Sequence, residues 1–332
     1  MKPLIPFALL GAILAVGANA ATTDPVGYIS HTISTGSPSL TVLSPTLVQP
    51  VEYSSVSTVS PSGGSTITLP AGVPSDFNTG DVLEITDGES EGWWSTVVSS
   101  TDTTIVIFDE FPAGLDAATP ISVRAHNTIQ SFLGDNNPGL APFDGATGDE
   151  VQILNPDQSL VQIAFVPAAV SGAAEDGWYN LVTLAPEGDR VIEPGSAVII
   201  KSSTSAELTF QSTGAVKLTD TQVDLFPGLT LVGQVDAVGA TLGEMNLATQ
   251  LNQFDGSNSD FDEFQILNSD QSLTQYAALA PGVAGPEAVM ANLVTTADAT
   301  NIIIEGGTGA ILKRDASQAA SSITVPGSSV AP

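Results

Sequence analysis

Two histidines, three tryptophans, seven Lys plus Arg and no cysteine bound the chemistry open to this 332-residue chain. Without cysteine there is no thiolate nucleophile, disulfide or thiolate metal centre. A Ser-His-Asp relay would need His31 or His126 as its base. Each reads instead as a polar residue at a strand end, so no catalytic residue is assigned. Gly-x-Ser-x-Gly, Walker, His-Glu-x-x-His and Rossmann glycine patterns do not occur in the sequence. The carboxylates of an acid-rich β protein suit glycoside hydrolysis, but no pair stands out by motif.

Three groups remain as candidates. Trp93 and Trp94 follow an acidic turn. Neighbours on a strand face opposite ways, so one can fill a core while the other lies on the surface, where an indole can stack on a sugar or anchor a protein; the plainer reading has both buried against neighbouring layers. The loop holding Asp255, Asp260, Asp262 and Glu263 is the densest set of oxygen ligands. It is the one candidate for calcium, though it lacks the EF-hand glycine, and a solvated turn is the plainer reading. No other cofactor is expected. Finally, Asn180, Glu193 and Lys201 recur as Asn292, Glu305 and Lys313. A Lys and an Asn beside a buried Glu on adjacent strands could form an isopeptide cross-link; the alternative is a Lys paired with an exposed acid.

These residues sit in a chain that repeats itself. Asp149–Ala164 matches Asp262–Ala277 at 12 of 16 positions with a shift of 113. Asn180-Leu181-Val182-Thr183 recurs as Asn292-Leu293-Val294-Thr295, and Glu193-Pro194-Gly195 as Glu305-Gly306-Gly307. Alternating apolar residues around Asn155-Pro156-Asp157-Gln158 predict a hairpin. Short turns of helix are expected at Asn127–Leu133 and Met245–Leu251. The fold class is all-β: a duplicated β-sandwich-like domain whose first copy is interrupted by a small β-barrel-like insert. The expected boundaries are 21–52 plus 126–217 for the first copy, 53–125 for the insert, 218–326 for the second copy and 327–332 for a C-terminal tail.

Residues 1–20 read as a signal peptide. Lys2 precedes the apolar run Leu4–Val16, and Ala18-Asn19-Ala20 offers a cleavage site. No membrane span is expected in the mature chain. Asp24-Pro25-Val26-Gly27-Tyr28, the segment His126–Phe132, Gly177-Trp178-Tyr179 and the Pro194-Gly195 turn resemble an uncharacterised family of secreted, signal-peptide-bearing proteins from verrucomicrobial-type bacteria. The resemblance implies export and a β-rich build, and no site residues.

The formal net charge is -29, from few cations rather than surplus acid. Such a chain cannot neutralise phosphates, which excludes nucleic acid. The expectation is a bacterial, secreted or cell-surface, non-catalytic structural protein whose partners are itself or other surface proteins. Polysaccharide binding is the alternative, with a secreted glycoside hydrolase third.

Overall fold

A computed structural model describes residues 25–34, 36, 38–55, 60–61, 64–69, 77–113, 115, 119–173, 175–204 and 207–329. The stretch read as a signal peptide, with Lys2 and the expected cleavage site, lies outside these residues, as do Asp24 and 330–332.

The chain opens with β1 (Val26–Ile33) and β2 (Ser39–Leu43). It leaves for the insert through β3 (Val51–Ser55), β4 (Ser60–Pro61), β5 (Thr66–Thr68), β6 (Val82–Ile85), β7 (Trp94–Thr101), β8 (Thr104–Ile107) and β9 (Ile121–Arg124). The first copy resumes with β10 (Asn127–Thr128), α1 (Ile129–Leu133), β11 (Glu150–Leu154), β12 (Leu160–Val166), α2 (Ala168–Ser171), β13 (Gly177–Asn180), β14 (Val191–Ile192), β15 (Val198–Ser202) and β16 (Leu208–Ala215). The second copy runs β17 (Thr221–Leu225), β18 (Gly228–Gly233), β19 (Ala240–Thr241), α3 (Leu247–Gln250), β20 (Glu263–Leu267), β21 (Leu273–Leu279), β22 (Val289–Asn292), β23 (Ile303–Ile304), β24 (Gly309–Arg314) and β25 (Ser321–Val325).

The fold is all-β and the duplication is structural. The first copy has a five-stranded sheet in the order β13-β12-β11-β15-β2, and the second has β22-β21-β20-β24-β18. Each sheet faces a two-stranded ribbon, β1-β16 or β17-β25. Strand alternation explains the filling. Val151, Ile163, Phe165, Val198 and Ile200 point inward against Phe132 and Phe210, while Phe264, Tyr276, Met290 and Leu312 do the same in the second copy. Trp178, where the second copy has Met290, fills this core and donates from Nε1 to the Gly134 carbonyl at 3.0 Å.

The insert is one antiparallel sheet in the order β3-β9-β6-β7-β8-β5-β4. Its end strands β3 and β4 are not paired with each other among the described residues, so it is an open sheet around a core of Ile67, Leu83, Val97, Ile105 and Val123, not a closed barrel. A bulge between Val97 and Ser99 lets β7 pair first with β6 and then with β8. At the insert's edge β3 pairs with β9, so chain entry and exit lie side by side. Adjacent ends are what allow a loop to accept a whole unit without disturbing its host.

The two copies pack through the outer faces of their sheets. Val42, Ala197 and Ile199 meet Leu231, Leu267 and Ile311. The contacts are reciprocal. Leu43 bridges to Thr308 as Val232 bridges to Ser196, and Ser44 N–H donates to the Gly307 carbonyl (3.0 Å) as Gly233 N–H donates to that of Gly195 (2.7 Å). Gly195 (φ +72) and Gly307 (φ +83) sit in matching turns where a Cβ would collide with Val223 or Ile29 of the other copy. The C-terminal segment is no free tail at its start: Ser328 is buried, its N–H donating to the Lys217 carbonyl at 2.8 Å.

Candidate functional site

The turn between β14 and β15, the outward face of β17 and the first residue of β7 meet in a cleft of about 600 Å³. Glu193, Pro194 and Gly195 form the turn read from sequence: Ser196 N–H donates to the Glu193 carbonyl at 3.0 Å, and Gly195 supplies the positive φ. Asp224 lies between buried Val223 and Leu225, so alternation points it outward into the same cleft. Arg190 also lines it, donating to Asn155 Oδ1 at 3.2 Å and standing 3.9 Å from Glu187.

Trp94 forms the insert's contribution. Its indole Nε1 donates to the Gln222 carbonyl at 2.9 Å, and its ring stands edge-on to His126 at 5.9 Å. Gln222 N–H in turn donates to the Gly92 carbonyl at 2.8 Å, so the insert covers the edge of β17 that β25 leaves open. Trp93 faces the insert's own core and packs on Phe111 at 5.3 Å. Trp93 therefore lies against the insert's core. The other is half-buried and holds the insert to the second copy, rather than standing as an open platform.

Two of the cleft acids are perturbed. Loss of hydration pushes the Glu193 carboxyl above its ordinary value, and the Asp224 charge adds to this, while Arg190 pulls the other way and Asp109 pushes further. Asp224 is raised by desolvation and then by Asp109. Both residues keep open surface; it is the surrounding cleft walls that displace water from the carboxyl ends.

A second charged group locks the junction. Glu84 is buried between Arg124 (Oε1 to Nη2, 2.6 Å) and Lys217 (Oε2 to Nζ, 2.9 Å), and Ser122 donates to it at 2.8 Å. Burial alone would raise the Glu84 carboxyl, but Lys217 and Arg124 override it and hold the value at about 2. Lys217 also donates to Thr219 Oγ1 and to the Asp220 carbonyl, both at 2.6 Å. It thus ties the insert to the segment joining the two copies.

The remaining sequence candidates are dispersed. Asn180 accepts from the N–H groups of Val182 and Thr183, and Asn292 from those of Val294 and Thr295. Lys201 lies on β15 opposite Glu150, bonded at 2.6 Å, and Lys313 pairs identically with Glu263. Strands β11 and β12 separate Lys201 from Asn180, which at strand spacing is roughly 14 Å. Glu193 belongs to the cleft, and the matching turn places Glu305 away from Lys313. The cross-link geometry is therefore corrected: the recurring Lys is one half of a cross-strand ion pair. The calcium candidates likewise do not converge. Asp262 is fully buried against Arg314 (2.8 Å), Glu263 is taken by Lys313, Asp255 caps its own turn, and Asp260 offers Asn252 its backbone carbonyl. Among the described residues no group of three or more His, Cys, Asp or Glu could hold a metal ion.

His31 is not at a strand end. It lies inside β1, buried between Phe132 (5.1 Å) and Phe210 (4.8 Å). His126 does sit where the insert rejoins the domain, with burial lowering it to about 4. Asp224 and Arg190 were not distinguishable in the sequence, because a lone acid on a strand carries no motif. Among the described residues no helix is long and apolar enough to cross a membrane. No family model, curated protein or solved structure matches the chain.

Proposed function

We propose that this is an exported, non-catalytic structural protein of the bacterial cell surface or matrix, working as one rigid block that presents its surface to copies of itself or to neighbouring surface proteins. The observation that carries the reading is the reciprocal interface. Two copies joined by backbone bridges and an apolar seam, with an insert tied to both, suit a block that presents a fixed surface. The identical Asn-Leu-Val-Thr tips support association: Val182 and Val294 are exposed by 81% and 82%, an apolar group kept in both copies without a role in either core. Export rests on the apolar run Leu4–Val16 and the small residues after it.

Polysaccharide binding stands second. It draws on Trp94, whose ring is already engaged by Gln222 and His126.

Light scattering on the mature chain tests the first reading. Concentration-dependent association is expected, and Val182→Asp with Val294→Asp should weaken it without changing the melting temperature. A chain that stays monomeric at every concentration, or one that hydrolyses a polysaccharide, removes the proposal.

A further inference from the structure

The two matching turns at the interface are not chemically equal. Glu305-Gly306-Gly307 faces β1, which contains no acid, whereas Glu193-Pro194-Gly195 faces β17, which carries Asp224. The carboxylate pair is therefore no requirement of the shared fold. It belongs to the one turn that also has the cleft and the Trp94 edge.

A cleft of about 600 Å³ is of a size that holds a small molecule. Its floor is apolar, built from residues such as Ile153 and Leu231 of the two copies. Its walls carry Glu193 and Asp224, with Glu187 and Asp189 also lining it, and Arg190, the single cation lining it among the described residues, is occupied by Asn155 and Glu187. A neutral sugar would leave the two carboxylates facing each other across a partly dehydrated space. An anion would be repelled, and the acids around the cleft are not clustered to ligate a bare divalent ion, since no group of three or more His, Cys, Asp or Glu among the described residues could hold one. An ammonium group on an apolar chain satisfies both features: the charge offsets the acids and the methylenes cover the floor.

We infer that the cleft between the two copies binds a linear aliphatic diamine, with Glu193 and Asp224 as counter-charges for one ammonium and the apolar floor as the bed for its chain. The upward push on both carboxyls fits this arrangement, because a nearby cation favours their ionised forms and opposes that push. Binding does not depend on the structural role proposed above, since association through Val182 and Val294 involves a different surface.

Titration calorimetry of the mature chain with diaminohexane tests the inference, with hexanediol as the uncharged isostere. Saturable one-to-one binding with a dissociation constant below about 1 mM is expected for the diamine and none for the diol. Glu193→Gln and Asp224→Asn should each weaken binding at least about tenfold, the cost of losing one charge-assisted contact. Asp87→Asn, in an exposed turn of the insert, should change nothing. Melting curves establish that each variant folds; if Asp224→Asn does not, Asp224→Thr, a good strand former, replaces it. The inference is overturned if the diol binds as well as the diamine, if the cleft variants bind normally, if Asp87→Asn weakens binding equally, or if no heat of binding appears at millimolar diamine.

Discussion

Gln271 of the second copy grips Leu40 at the sheet edge of the first: its Oε1 accepts from the Leu40 N–H at 2.6 Å and its Nε2 donates to the Leu40 carbonyl at 3.2 Å. Gln158 does the same to Leu229 in the other direction, at 2.7 and 3.0 Å. Each side-chain amide stands in for a strand residue and closes an otherwise unpaired edge. Both glutamines have φ of 68°, in the left-handed region that a hairpin turn of this kind usually gives to glycine. Glutamine is there for its side chain, at a conformational cost.

Replacing Gln158 or Gln271 with Ala should therefore lower stability by about 1 kcal/mol each, two solvent-accessible hydrogen bonds being lost. Gln158→Gly separates the two effects, since it relieves the backbone while deleting the amide. Thermal unfolding should still show a loss. A rise in melting temperature for the glycine variant would mean that the side chain contributes nothing to the interface.

The duplication, the hairpins and the Glu-Pro-Gly turn were legible because each is local: alternation and turn chemistry act over a few residues. The partners of those elements were not legible. Gln158 looked like turn composition, yet a glutamine repeated where glycine is preferred was the available signal of a long-range contact. Lys201 was noticed for recurring, but its partner Glu150 recurs too, inside the matched stretch, and only strand register puts them opposite each other. Alternation could not say which of Trp93 and Trp94 faces the insert's core, and what covers Trp94 comes from 128 residues further along the chain.

Because Lys201 and Asn180 are held on strands two places removed from being neighbours, no amide bond can form between them. The intact mass of the chain, produced without residues 1–20, should equal the calculated mass. A deficit of about 17 Da, the ammonia lost in one such bond, would contradict the strand order itself.

Glu84 compensates two buried cations at once. Glu84→Gln leaves Arg124 and Lys217 facing each other without their shared counter-ion, which should cost about 3–5 kcal/mol. The joint replacement Glu84→Leu, Arg124→Met, Lys217→Met removes all three charges and should be far less harmful. Urea titration decides it: a triple variant as unstable as Glu84→Gln would show that the hydrogen bonds of Lys217 to the inter-copy segment, not charge balance, hold the junction.

Acid should loosen the molecule through His31 before it reaches most carboxylates. The ring Nδ1–H donates to the Gly307 carbonyl of the other copy at 3.3 Å, which leaves Nε2 to accept from Ser212 Oγ at 2.8 Å, so the folded site is built for a neutral imidazole. Burial lowers the group from 6.5 to about 4, only partly opposed by the Gly307 contact. Above the unfolded value both states are neutral and the full stability is present. Between 6.5 and about 4 the unfolded chain takes a proton that the folded chain refuses, so stability falls with pH across that window, by up to about 3 kcal/mol at its lower end. His126, lowered by burial alone, adds a loss of the same sign. Glu193 and Asp224 act oppositely, since their raised values make the folded state take protons first, but they do so only in the carboxylate range. His31→Leu should be less stable than the parent near neutral pH, having lost two hydrogen bonds, and should lose less on acidification. Urea midpoints measured between about pH 7 and pH 5 give the comparison. Equal pH slopes for the two proteins would show that His31 is not the group that titrates.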